Sequence, residues 1–195
     1  MSSRTVSTAF LYRVDAVADA LRLIALLSIV VAGLLYSWTD ALVFVVVSAV
    51  LWVPRIAALP RPVDLAIGVT WLVAGWADAA HWYIMDPWVD IPIHGTTPGA
   101  SAAAVYLLLV RVQLVPALQD RQVRRRALIL ITFALGATLA VLWEFYEWVR
   151  YHGQGPPLVG YNDTILDLLM GCIGSLVAGV GLAWWATAGW GTRRR

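Results

Sequence analysis

The stretch ALILITFALGATLAVLWEFYEWV, residues 127–149, decides the fold. Crossing the hydrocarbon core of a bilayer takes about 20 mostly apolar residues, and this run supplies them. A helix on the surface of a soluble domain would carry a polar stripe along its length. Here the charge is confined to the ends: Arg124, Arg125 and Arg126 stand before the run, and Glu144 and Glu147 close it. The stretch reads as a transmembrane helix with a pair of carboxylates at one end.

Five further segments have the same character: 19–38, 41–59, 63–84, 95–118 and 164–188. Breakers fall between them, at Pro60 and Pro62, at Asp86-Pro87, and at Gly153, Gly155, Pro156 and Pro157. The expectation is an all-α polytopic bundle of six transmembrane helices forming one domain over residues 19–188. A short amphipathic segment, 1–18, precedes it and a basic tail, 189–195, follows. Residues 1–18 lack the pattern of a cleaved signal peptide. Composition agrees: 61% of the 195 residues are hydrophobic and 13% charged, against roughly 45–50% and 25% in soluble domains. The single cysteine, Cys172, excludes an intrachain disulfide and reads as a small buried hydrophobe.

The charged residues orient the chain. Arg4, Arg13 and Arg22 lie at the start, Arg55 and Arg61 flank the second loop, and Arg121 and Arg124–Arg126 fill the fourth. Arg193, Arg194 and Arg195 end the chain, whereas the odd loops hold only Arg150. Cytoplasmic loops are enriched in such residues. This predicts a multi-pass membrane protein with both termini cytoplasmic. Arg111 is expected to snorkel to the cytoplasmic side.

Acids and histidines gather at the opposite end. Helix three ends Asp78-Ala-Ala-His81, Asp90 and His94 stand at the mouth of helix four, Glu144 and Glu147 close helix five, and Asp163 and Asp167 open helix six. Spacings of three and four put each pair on one helix face. By helical rise, Glu144 lies about 25 Å from Ala127 and Asp78 about 22 Å from Val63, which are similar depths. Rows of small residues share these faces: Gly136 and Ala140, Gly171, Ser175, Gly179 and Ala183, Gly75, and Gly95, Gly99 and Ala103. Such rows mark helix contacts in membranes, so the acids point into the bundle. The expected site is centred on His94, Glu144, Glu147 and Asp167, with Asp78, His81, Asp90 and Asp163 as further metal ligands. Asp163 alone also reads as a helix cap, and His152 reads as a surface residue.

Asp90-x-x-x-His94, Glu144-x-x-Glu147-Trp148, a Gly/Gln loop and Asp163-Thr164-x-x-Asp167 occur in an order that resembles the YjdF-like family of bacterial inner-membrane proteins. There is a lesser likeness to VanZ-like proteins, which share Asp-x-x-x-His at a helix head. The resemblance covers roughly residues 86–183 and departs at Gly95-Thr-Thr-Pro98, where an aromatic and a Gln-Gly are more usual. It implies a membrane fold and selects Asp90, His94, Glu144, Glu147, Asp163 and Asp167. It implies no reaction.

Three functions fit the residues. Carboxylates with imidazole suit a divalent cation such as Zn, Mn, Fe or Mg. The first reading is therefore a metal-dependent, hydrolase-like membrane enzyme acting on a lipid or amphipathic substrate, with Glu144 and Glu147 as catalytic carboxylates. With no metal, some of these groups must carry protons, which suits a proton- or cation-coupled transporter. The third reading is a polar network that only locks the bundle. No phosphate loop, nucleophile elbow, HExxH motif or nucleic-acid signature is present, and the small-residue rows allow a homo-oligomer.

Overall fold

A computed structural model describes residues 8–118, 124–151, 160–189 and 191–192. Arg4, Arg121, His152, the Gly/Gln loop and Arg193–Arg195 lie outside the described residues. The described chain is all-helical: α1 (Thr8–Leu35), α2 (Trp38–Ile56), α3 (Arg61–Ala79), the single turn α4 (Trp82–Met85), a 3-10 turn (Pro87–Val89), α5 (Asp90–Arg111), α6 (Arg125–Tyr151) and α7 (Tyr161–Thr187).

Five helices are long and apolar enough to cross a membrane: Phe10–Leu35, Trp38–Ile56, Asp90–Arg111, Arg125–Tyr151 and Tyr161–Thr187. The third expected span differs. Arg61, Asp64 and Asp78 lie within the 19 residues of α3. That helix packs against α1, α2 and α5, and nine of its residues are buried. Protein surrounds much of α3, so its sequence answers to neighbouring helices more than to lipid.

Two three-helix groups, α1–α2–α3 and α5–α6–α7, meet along α3 and α5. Small residues set the spacing in the second group. A Cβ at Gly99 would lie 2.7 Å from the Gly174 carbonyl oxygen, one at Gly171 2.6 Å from the Ala140 Cβ, and one at Gly179 3.0 Å from the Ile129 carbonyl oxygen. Close backbone approach is what such rows provide in a bilayer, where no hydrophobic drive separates helix from lipid.

Several boundaries differ from expectation. α1 runs unbroken through residue 18, because Asp15, Asp19 and Arg22 find partners on other helices. Arg61 Nε donates to Asp15 at 2.7 Å. Arg22, 3% exposed, donates to Asp19 at 2.9 Å and to the Leu51 carbonyl at 3.0 Å, and it pairs with Asp64. Arg111 does not simply snorkel: it donates to the Ala58 carbonyl at 2.7 Å. α3 stops at Ala79, and His81 takes a left-handed backbone with φ 55. α5 begins at Asp90 rather than Gly95. The Asp86 side chain accepts from the Trp88 amide at 3.0 Å, and Pro92 lies in the first turn, where a missing amide leaves no helical bond unmade.

Candidate metal centre

The up-down order of α5, α6 and α7 brings the start of α5, the end of α6 and the start of α7 to one end of the bundle. His94 lies in the second turn of α5, one turn beyond Asp90. Glu144 and Glu147 lie in the last two turns of α6, and Asp163 and Asp167 in the first two of α7. Ala140 and Gly171, one turn deeper than Glu144 and Asp167, close the gap below them. These six side chains are thus held by rigid helices rather than loops.

His94, Glu144, Glu147 and Asp167 each offer a ligand atom, and these atoms all lie within 4.8 Å of one another. His94 Nδ1 is 3.5 Å from Glu144 and 3.9 Å from Asp167, while Nε2 is 3.2 Å from Asp90 and 3.3 Å from Glu147. All four residues are buried, His94 and Asp167 to 1% exposure. Among the described residues, both Glu144 carboxylate oxygens and Asp167 Oδ2 are buried with no hydrogen-bond partner, and His94 Nε2, though near Asp90 and Glu147, makes no aligned hydrogen bond. Buried polar atoms in folded proteins are nearly always satisfied, and an unpaired one costs roughly 1–3 kcal/mol. Four of them aimed into one space fit a cation, which takes lone pairs and offsets carboxylate repulsion together. Glu147 is oriented from the side, since Trp143 Nε1 donates to it at 2.8 Å. The Trp143 ring also lies 5.0 Å from that of His94.

Asp90 and Asp163 stand beside this group and form a second set with Asp167. Asp78 does not join either set. It accepts from the Tyr146 hydroxyl at 3.0 Å, bonds the Tyr151 hydroxyl, and lies 3.6 Å from Arg150 Nε. Arg150 in turn pairs with Asp40 and donates to Thr39 at 2.7 Å. His81 is exposed and apart from both sets. The helix ends between Asp78 and His81, so their three-residue spacing does not align them.

A cavity of about 660 Å³ lies beside the centre, with α2 and α6 as facing walls. Val43, Val47, Trp71 and Leu139 make it apolar, while Asp78, Tyr83, Glu147 and Arg150 give it polar points. Its rim includes Leu42, Val46 and Leu142, all more than half exposed. Glu147 belongs to both the cavity and the buried cluster. Tyr83 is outside the spanning helices. Burial, together with Glu147, Asp90 and Asp78, pushes its hydroxyl far above the ordinary tyrosine range, so it stays a hydrogen-bond donor.

Sequence reasoning missed Trp143, Tyr83 and the Asp40–Arg150–Asp78 network. The one signal for the network was Arg150 itself, a lone arginine among the acids of its end. It also missed Asp64, which is 2% exposed and makes the first turn of α3 less apolar than expected.

The fold and site define a helical membrane protein with a buried carboxylate–histidine cluster. The chain belongs to the predicted membrane protein family DUF2238, whose family model matches residues 16–188; this is the YjdF-like family. No likeness to VanZ-like proteins is shown beyond the expectation drawn from the Asp90–His94 spacing. No curated protein and no solved structure matches the chain.

Proposed function

We propose that the protein is a metal-dependent enzyme of the bacterial inner membrane, acting on a lipid or amphipathic substrate at the outer leaflet. In this reading α3 is a sixth span shielded by its neighbours, and both termini are cytoplasmic. A divalent ion binds His94, Glu144, Glu147 and Asp167. The four unpartnered polar atoms of that cluster carry the proposal. A bound ion would polarise a phosphoryl or carbonyl oxygen and lower the pKa of a water. Glu144, neither of whose oxygens has a hydrogen-bond partner among the described residues, would hold the ion through one oxygen and accept a proton from such a water through the other as general base. Glu147 positions the substrate head where the cavity meets the cluster, and the apolar walls take the chain. Ligand pockets of this size, apolar with a few placed polar groups, are the usual form of small-molecule sites.

The contrast with Arg150 favours this over a purely structural network. Asp40 and Asp78 have a cation and hydroxyl donors within reach, as a locking network requires. Among the described residues, the His94 cluster has no arginine and only one imidazole for its four carboxylate neighbours. The transporter reading needs a polar path to the inner end. Arg22 and Asp64, the buried charged pair there, are tied to each other, which supports the enzyme. Elemental analysis and hydrolysis of a phospholipid panel by detergent-purified protein test the proposal. Bound metal with hydrolysis lost in Glu144→Gln is the expected result. Metal-free protein whose composition is unchanged by His94→Ala would overturn it.

A further inference from the structure

Four carboxylates, Asp90, Glu144, Glu147 and Asp167, lie within 4 Å of one imidazole, and a fifth, Asp163, stands beside Asp90 and Asp167. Ionised together they carry roughly −5. One divalent ion leaves about −3 in a largely buried space, whereas a pair leaves about −1. The residues also divide geometrically. His94, Glu144, Glu147 and Asp167 form one set of mutually close ligand atoms, and Asp90, Asp163 and Asp167 form another. Asp167 is common to both. It is 1% exposed. Its Oδ1 lies 3.9 Å from His94 Nδ1, and its Oδ2 is buried without a hydrogen-bond partner among the described residues. A carboxylate has two oxygens and can serve two ions at once. Bundles that hold paired metals use shared, inward carboxylates of this kind.

We infer that the site is built for two divalent cations, with Asp167 bridging them and Asp90 and Asp163 completing the outer position. The inference rests on the single-ion reading above and extends it. The two positions differ in character. The inner one has an imidazole and three carboxylates, all buried. The outer one has only oxygen ligands, and Asp90 and Asp163 are half-buried, so solvent can supply its remaining ligands. An all-oxygen, partly hydrated position suits a hard ion such as Mn²⁺ or Mg²⁺. Two ions sharing a carboxylate can hold both the attacking and the leaving oxygen of a displacement. The inner position, beside Glu147 and the cavity, is then the one nearer an arriving headgroup, and the outer one is the more open to water.

The experiment loads full-length, detergent-purified protein with Mn²⁺, removes excess metal, and measures stoichiometry and the low-temperature electron paramagnetic resonance spectrum. Wild type is expected to hold two ions per chain with a spin-coupled spectrum. Asp163→Asn is expected to hold one ion with an isolated-ion spectrum, and Asp90→Asn serves in the same role if Asp163→Asn does not fold. A wild type that holds one ion, with an isolated-ion spectrum unchanged in either variant, would overturn the pair and leave the single-ion reading standing. A wild type that holds no ion would overturn both.

Discussion

Arg150→Met removes the cation from between two buried carboxylates. Asp40 is 4% exposed and Asp78 7%; both lie on the arginine, Asp40 in direct contact and Asp78 at 3.6 Å from Nε. Breaking a buried pair from one side costs about 3–5 kcal/mol, because the remaining charge loses its partner but stays buried. Asp78 keeps the Tyr146 and Tyr151 hydroxyls, which places the expected loss near the lower bound, about 3 kcal/mol. That is roughly a hundredfold in the folding equilibrium. The Asp40→Asn change made on top should recover part of it, since the stranded charge is then removed. Reversible unfolding in mixed micelles, followed by tryptophan fluorescence, measures both. A loss below about 1 kcal/mol, the value of a solvent-exposed pair, would refute the buried network.

Other expectations follow from packing and topology. Gly174→Ala places a Cβ against the Gly95 carbonyl and should separate α5 from α7, with a loss of at least about 2 kcal/mol in the same unfolding assay. Gly181→Ala, where a Cβ meets nothing within 4 Å, should be neutral or slightly stabilising. Val46→Trp at the cavity rim should lower the phospholipid that co-purifies with the protein, read by native mass spectrometry. Unchanged lipid content would count against the cavity as a chain site. In a Cys172→Ser background, cysteine at Trp88 should label with an impermeant thiol reagent in intact cells, and cysteine at Thr192 only after lysis; the reverse pattern would invert the proposed topology.

Helices were legible in the sequence because apolar length is a local property. So was the core of the site, since Glu144 and Glu147, and Asp163 and Asp167, share faces by spacing along single helices. What could not be read depends on partners far apart in the chain. Asp78 looked like a site residue by depth and charge, but Arg150, 72 positions on, claims it. Asp64 went unnoticed because its partner Arg22 lies two helices earlier. The start of α5 was set too late because Asp86-Pro87 read as a breaker, although Pro87 opens a 3-10 turn that leads into α5, and Pro92 falls where a helix start tolerates proline. Trp143 drew no notice as a site residue, yet its indole N–H is turned inward to Glu147.

The most direct test of the account is an experimental structure of metal-loaded protein with anomalous scattering recorded at the metal edge. The account predicts a compact anomalous peak within about 2.0–2.3 Å of His94 and at least two of Glu144, Glu147 and Asp167. Ordered water bridging those atoms in protein soaked with metal, with no anomalous peak, would contradict it.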